Sequence, residues 1–170
     1  MIYGTSSAKA IALRTLTGGK LSTSIKDNDE FLAMSDAPED HCQVTNGESI
    51  CYKSGDTRVN QHPHHTAMYT IWVREHNRIA TALANINPFW DDEKIFQEAR
   101  KIVIAEIQHI TYKYWVPFVL GEAFTRSIKL DIKSKGFSNN FNEDENPSVT
   151  NSFATVGFRF VNSMMQSKLK

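Results

Sequence analysis

The sequence predicts a mainly α-helical domain. Two long stretches, about 63–86 and 91–116, place apolar residues at the three-and-four spacing of a helix. Start and stop signals bound them, with Pro63 and Asp91-Asp92-Glu93 at the starts and Asn87-Pro88 between them. Elsewhere only residues 21–25 read as a strand, and a short one.

In chain order, residues 5–16 form a first helix, with Thr5-Ser6-Ser7 as candidate caps and Gly18-Gly19 closing it. Residues 26–57 are polar and irregular. The helix over 63–86 is expected to bury Met68, Ile71, Trp72, Ile79, Leu83 and Ile86 as one face. The next runs through Ile95, Phe96, Ala99, Ile102, Val103, Ile107 and Ile110 to a break at Pro117. Because it is apolar over more than one face, it expects burial in a larger body and, without one, self-association. A short helix follows at 119–128. Residues 136–147, rich in Asn and acids, form a surface loop. A last helix from Ser148 or Asn151 passes through Phe153, Phe158 and Phe160 to the end. No repeat is visible.

The chain has 170 residues and 19.3 kDa, one domain's worth, which can bury about 70% of its unfolded surface. Nineteen basic residues balance nineteen acidic ones, which argues against a nucleic-acid binder or a protein drawn to anionic membranes by a positive field. No apolar run nears the roughly 20 residues of a membrane span. The first sixteen residues lack a basic start, apolar block and cleavage site, so no secretion signal is expected. The two cysteines, Cys42 and Cys51, flank Asn46-Gly47 in a polar stretch. They read as a disulfide clipping a loop, worth about 2–3 kcal/mol, or as two reduced thiols. A bridge implies an oxidising compartment.

Three polar features could carry chemistry. His62-Pro63-His64-His65 could bind a metal, but neighbouring side chains on a helix diverge, so a solvated helix start is the better account. Arg74-Glu75-His76-Asn77-Arg78 is an exposed face or a polar network against a neighbour. Gly157-Phe158-Arg159-Phe160-Val161-Asn162, taken alone, reads as core packing with a snorkelling Arg. No phosphate loop, nucleophile elbow, dinucleotide or zinc-protease signature is present.

The run Gly55-Asp56-Thr57-Arg58-Val59-Asn60-Gln61-His62-Pro63 resembles the animal haem peroxidase family, of the chorion peroxidase, peroxidasin and myeloperoxidase type. TIWVREHNRIATAL, INPFWDDEKIFQEARKIVIAEIQHITYKYWVPFVLG and NPSVTNSFATVGFRF extend the resemblance over nearly the whole chain. It implies that residues 1–170 are part of a mainly α-helical haem domain several times longer. It also implies an extracellular setting, a Cys42–Cys51 disulfide, and peroxide-dependent oxidation of phenols, tyrosines or halides through haem iron.

Arg58 matches the family's catalytic arginine, which polarises the peroxide O–O bond. Arg159 matches an arginine that contacts the haem, which implies a contact at a propionate. Gln61 stands where mammalian members carry a haem-esterified Glu, and His62 where one carries a haem-bonded Met, so neither covalent link is expected. The family's Phe-Arg-Phe-Gly-His motif reads Phe158-Arg159-Phe160-Val161-Asn162 here, which puts an amide where the iron ligand should be. The distal His and calcium-loop residues correspond to positions before Met1, so neither they nor a calcium site is expected in this chain. The resemblance therefore implies a peroxidase with impaired activity. The alternative is an inactive peroxidase-like protein that no longer binds haem.

Overall fold

The computed structural model describes residues 2–35, 43–45, 48–137, 139 and 141–164, the backbone alone at 43–45 and at 48 and 49. The chain divides into two compact units, Met1–Asp131 and Ile132–Lys170.

The first unit is built on two helices, α2 (Pro63–Ile86) and α3 (Asp92–Ile110), which pack along each other. Pro63 occupies the first turn, where its missing N–H costs nothing, and the His62 ring caps that turn by accepting from the backbone of His64. Asp91 caps α3 by accepting from Lys94 N at 2.7 Å, with Asp92 and Glu93 in the first turn. Ala80, Ala99 and Val103, each fully buried, let the two backbones approach, with Ile79 and Ile95 beside them. A second cluster joins Val73 and Phe96 to Leu13, Leu21, Leu32 and Val59, so the N-terminal third lies against the α2–α3 pair.

The inward face of α2 is not the apolar stripe that its sequence suggests. Met68, Ile71 and Ile86 are 49, 54 and 75% exposed, whereas Val73, His76, Asn77 and Ala80 are buried. Polar side chains face inward because backbone groups of the 19–21 loop satisfy them. Asn77 Oδ1 accepts from Leu21 N at 2.8 Å and its Nδ2 donates to Leu21 O at 3.0 Å. His76 Nε2 donates to Gly19 O at 2.9 Å, which leaves Nδ1 to accept from the Tyr3 hydroxyl at 2.9 Å.

Helix α1 (Ser7–Ala12) is shorter than expected, capped by Ser6. The stretch expected to be irregular contains strands. β1 (Thr23–Lys26) takes up the short strand expected at 21–25, and it pairs with an unexpected β2 (Asp29–Leu32) across Asp27-Asn28, both at positive φ as a two-residue hairpin requires. β3 (Gln43–Thr45) pairs with β4 (Glu48–Ile50). Pro117 does not break the second long helix either. The helix widens into a π-turn, Thr111–Trp115, and runs on as α4 (Val116–Leu120) to Gly121. A proline fits where the pitch changes and an N–H partner has been lost. α5 (Glu122–Ser127) matches the expected short helix.

In the second unit, α6 (Asn151–Thr155) stops at Val156 and the chain resumes as a 3-10 helix, Gly157–Met164. Val and Gly are weak helix formers, and a Cβ at Gly157 would lie 3.2 Å from the Phe153 ring, so the turn folds onto that ring. The expected continuous helix is therefore two pieces. Core packing for 157–162 is not seen: Phe158 and Phe160 are 46 and 54% exposed.

Candidate functional site

Arg58, Gln61 and His62 come together where a 3-10 turn, Thr57–Asn60, runs into α2. Two buried residues hold this corner in place. Val59 is 1% exposed and belongs to the core. Asn60 grips the backbone of Tyr52 from both ends of its amide, accepting from Tyr52 N at 3.0 Å and donating to Tyr52 O at 2.8 Å. Thr66 Oγ1 donates to Val59 O at 2.7 Å, which ties the turn to the first full turn of α2.

The corner ends in a braced cation. Asp56 caps the 3-10 turn by accepting from Arg58 N at 2.9 Å. It also takes Arg58 Nε at 3.0 Å and Nη2 at 2.6 Å, a two-pronged ion pair. Asp56 is largely covered, whereas the Arg58 side chain is 68% exposed. The Arg58 hydrogen bonds hold the Asp56 carboxyl far below the usual carboxylate range. The guanidinium is thus fixed on its inner edge and open on its outer one. Beside it, His65 Nδ1 donates to Arg58 O at 3.2 Å and its ring stacks on Tyr69. His62 and His64 lie 4.9 Å apart, ring to ring. No group of His, Cys, Asp or Glu suited to a metal ion occurs among the described residues.

In the second unit, Arg159 Nε donates to Ala154 O at 3.2 Å and Asn162 is exposed. Cys51 is buried, and Cys42 lies outside the described residues. Asp56 and Asn60, which position Arg58, were not singled out from the sequence. The available signal was Gly55-Asp56 ahead of a polar turn, an Asp cap pattern.

The family model for animal haem peroxidase matches residues 1–170, the whole chain. The chain belongs to the animal haem peroxidase family. Peroxidase of Drosophila melanogaster is 38% identical over 99% of this chain, and the human peroxidasin homolog 37% over 99%. The chain spans 25% and 11% of those two proteins. Among solved structures, peroxidase A from Dictyostelium discoideum superposes with a TM-score of 0.73 at 29% identity, covering 94% of this chain and 29% of that one. The mainly α fold is thus that of part of a haem peroxidase domain.

Whether this peroxidase-family chain fits haem can be judged from its donors. At the corner, an exposed guanidinium held on one side suits an anionic or peroxide oxygen. At position 162, the one the motif resemblance would give to the iron ligand, stands an exposed amide, a poorer iron donor than imidazole, with the bulkier Val161 beside it. That position does not fit the iron.

Proposed function

We propose that this chain retains the peroxide-side corner of a hydrogen-peroxide-dependent haem peroxidase and has lost its iron-side ligand. Arg58 is the catalytic side chain of the reading, a fixed cation that stabilises negative charge on oxygen as a peroxide bond polarises. Gln61 and His62 border the same corner, and Arg159 serves a carboxylate of the cofactor. The substrates are small phenols, tyrosines or halides. A Cys42–Cys51 disulfide and an extracellular setting belong to the same reading, the one suiting the other. The observation that carries it is the two-pronged Asp56–Arg58 pair, which orients a guanidinium without covering it.

Asn162 favours the second reading for the chain as it stands, a peroxidase-like protein without bound haem. An amide oxygen neither pushes electron density toward iron nor holds it as imidazole does. The test is peroxide-dependent oxidation of a simple phenol with added haem. The unaltered chain turns over no faster than free haem. Asn162→His raises the rate, and Arg58→Ala in that background removes the gain. Turnover by the unaltered chain overturns the assignment at 162. A gain that survives Arg58→Ala overturns the assignment of Arg58.

A further inference from the structure

A cavity of about 490 Å³ lies between residues 3–14 and the first half of α3, and it shares no residue with the Arg58 corner. Sites for small molecules run from roughly 300 to 1,000 Å³, so the cavity has room for one. Its charged lining is Arg14, Glu93 and Arg100, and Tyr3, Ile11 and Phe96 give it an apolar side.

The two arginines are satisfied very differently. Arg14, with a side chain 7% exposed, lies 4.0 Å over the Phe96 ring. It pairs with Asp92 at 2.6 Å and with Glu93. Gln97 also donates to Glu93, at 2.7 Å, so the carboxylate that lines the cavity already has two donors. Arg100 is half-buried and has neither an ion pair nor a hydrogen bond among the described residues. It stands 5.4 Å over the Tyr3 ring. The Tyr3 hydroxyl supplies no counter-charge, because burial pushes its pKa up and it donates to His76 Nδ1. The Nε atoms of both arginines are shut off from solvent with no acceptor. Orphans of this kind are uncommon, since a buried donor left unmet has given up its bond to water for nothing. In Arg100 the whole guanidinium is in that position, a cation partly out of water with no anion to answer it.

We propose that this cavity binds a small organic carboxylate, whose anionic head pairs with Arg100 and whose apolar body rests against Ile11 and Phe96. A guanidinium edge offers two parallel N–H groups that match the two oxygens of a carboxylate. One unanswered positive charge calls for one negative charge. A phosphate dianion would set its second charge near Glu93, with Arg14 already committed to two carboxylates. The fit is therefore to a monovalent head on an apolar body.

Titration of the isotope-labelled chain with benzoate tests this, followed by nuclear magnetic resonance at the Nε–H signals of Arg14 and Arg100. The Arg100 signal should shift saturably, with a single-site endpoint. Arg100→Gln should weaken binding at least about tenfold, the loss expected when a charge-assisted pair is removed. Circular dichroism checks that the variant keeps its helices. A second comparison needs no variant. Benzamide has the same ring without the charge, and it should bind the unaltered chain at least about tenfold more weakly than benzoate. Inorganic phosphate should also bind more weakly. An Arg100 signal unmoved by benzoate overturns the proposal. So does equal binding by benzamide or by Arg100→Gln, or tighter binding of phosphate.

Discussion

Asp56 holds Arg58 by two oxygens, at 3.0 Å to Nε and 2.6 Å to Nη2, and by its backbone N–H at 2.9 Å. One carboxylate therefore both starts the 3-10 turn and aims the side chain that the turn presents. Asp56→Asn keeps a capping oxygen but removes the charge. The melting temperature should move little, since solvent screens an ion pair whose guanidinium is this exposed. In the Asn162→His background, peroxide turnover should fall about tenfold as the guanidinium loses its orientation. Unchanged turnover would remove Asp56 from the account.

Burial is the main cause that lowers the pKa of His76, against the opposing bond to Gly19 O. The folded state therefore favours neutral imidazole, and the unfolded chain binds more protons just below the ordinary value of 6.5. Stability from this group is fully present above that value and is lost as pH falls below it. Thermal melts from about pH 7 to about pH 5 should show a falling midpoint, and a His76→Gln variant should flatten that slope. Equal slopes in the two proteins would assign the acid sensitivity elsewhere.

Asn77 closes two backbone bonds of buried Leu21. Asn77→Ala strands one donor and one acceptor away from water and should cost about 2–4 kcal/mol, measured by denaturant unfolding. Asn77→Asp keeps the acceptor and loses the donor, so it should also destabilise. A cost below about 1 kcal/mol for the alanine variant would mean that water replaces the amide.

Gly19 sits at φ +67, and a Cβ there would lie 2.6 Å from Ile95 Cγ2 and from Phe96 N. Gly19→Ala should destabilise by about 2 kcal/mol or more, combining left-handed strain with overpacking. Gly18, also at positive φ but with nothing near its Cβ, should cost about 1 kcal/mol under the same change. Equal costs would show that strain alone matters at this turn.

The long helices were legible because their signals are local. Pro63 and Asn87-Pro88 bound α2 and the three acids open α3, each acting on the residues beside it. Which face of α2 turns inward was not legible. His76 and Asn77 are buried by hydrogen bonds to a loop more than fifty residues earlier, a partnership that helical periodicity does not contain. Pro117 misled for a related reason, since a π-turn absorbs the lost N–H and no residue pattern marks one. The first strand of the β1–β2 hairpin was legible at 21–25, but its turn and second strand were not, because Asp27-Asn28 supplies the positive φ that a glycine more often signals. At the site, the motif resemblance is what singles out Arg58 and Asn162, whereas the hold of Asp56 and Asn60 on the corner emerges only from their bonds.

On the proposed reading the Arg58 corner is retained and position 162 no longer holds iron. A haem titration of the unaltered chain beside Asn162→His, followed at the Soret band, tests it most directly. The unaltered chain should give a free-haem spectrum, and Asn162→His a shifted band with a one-to-one endpoint. A shifted, one-to-one Soret band in the unaltered chain would contradict it, since another residue would then hold the iron in place of the missing histidine.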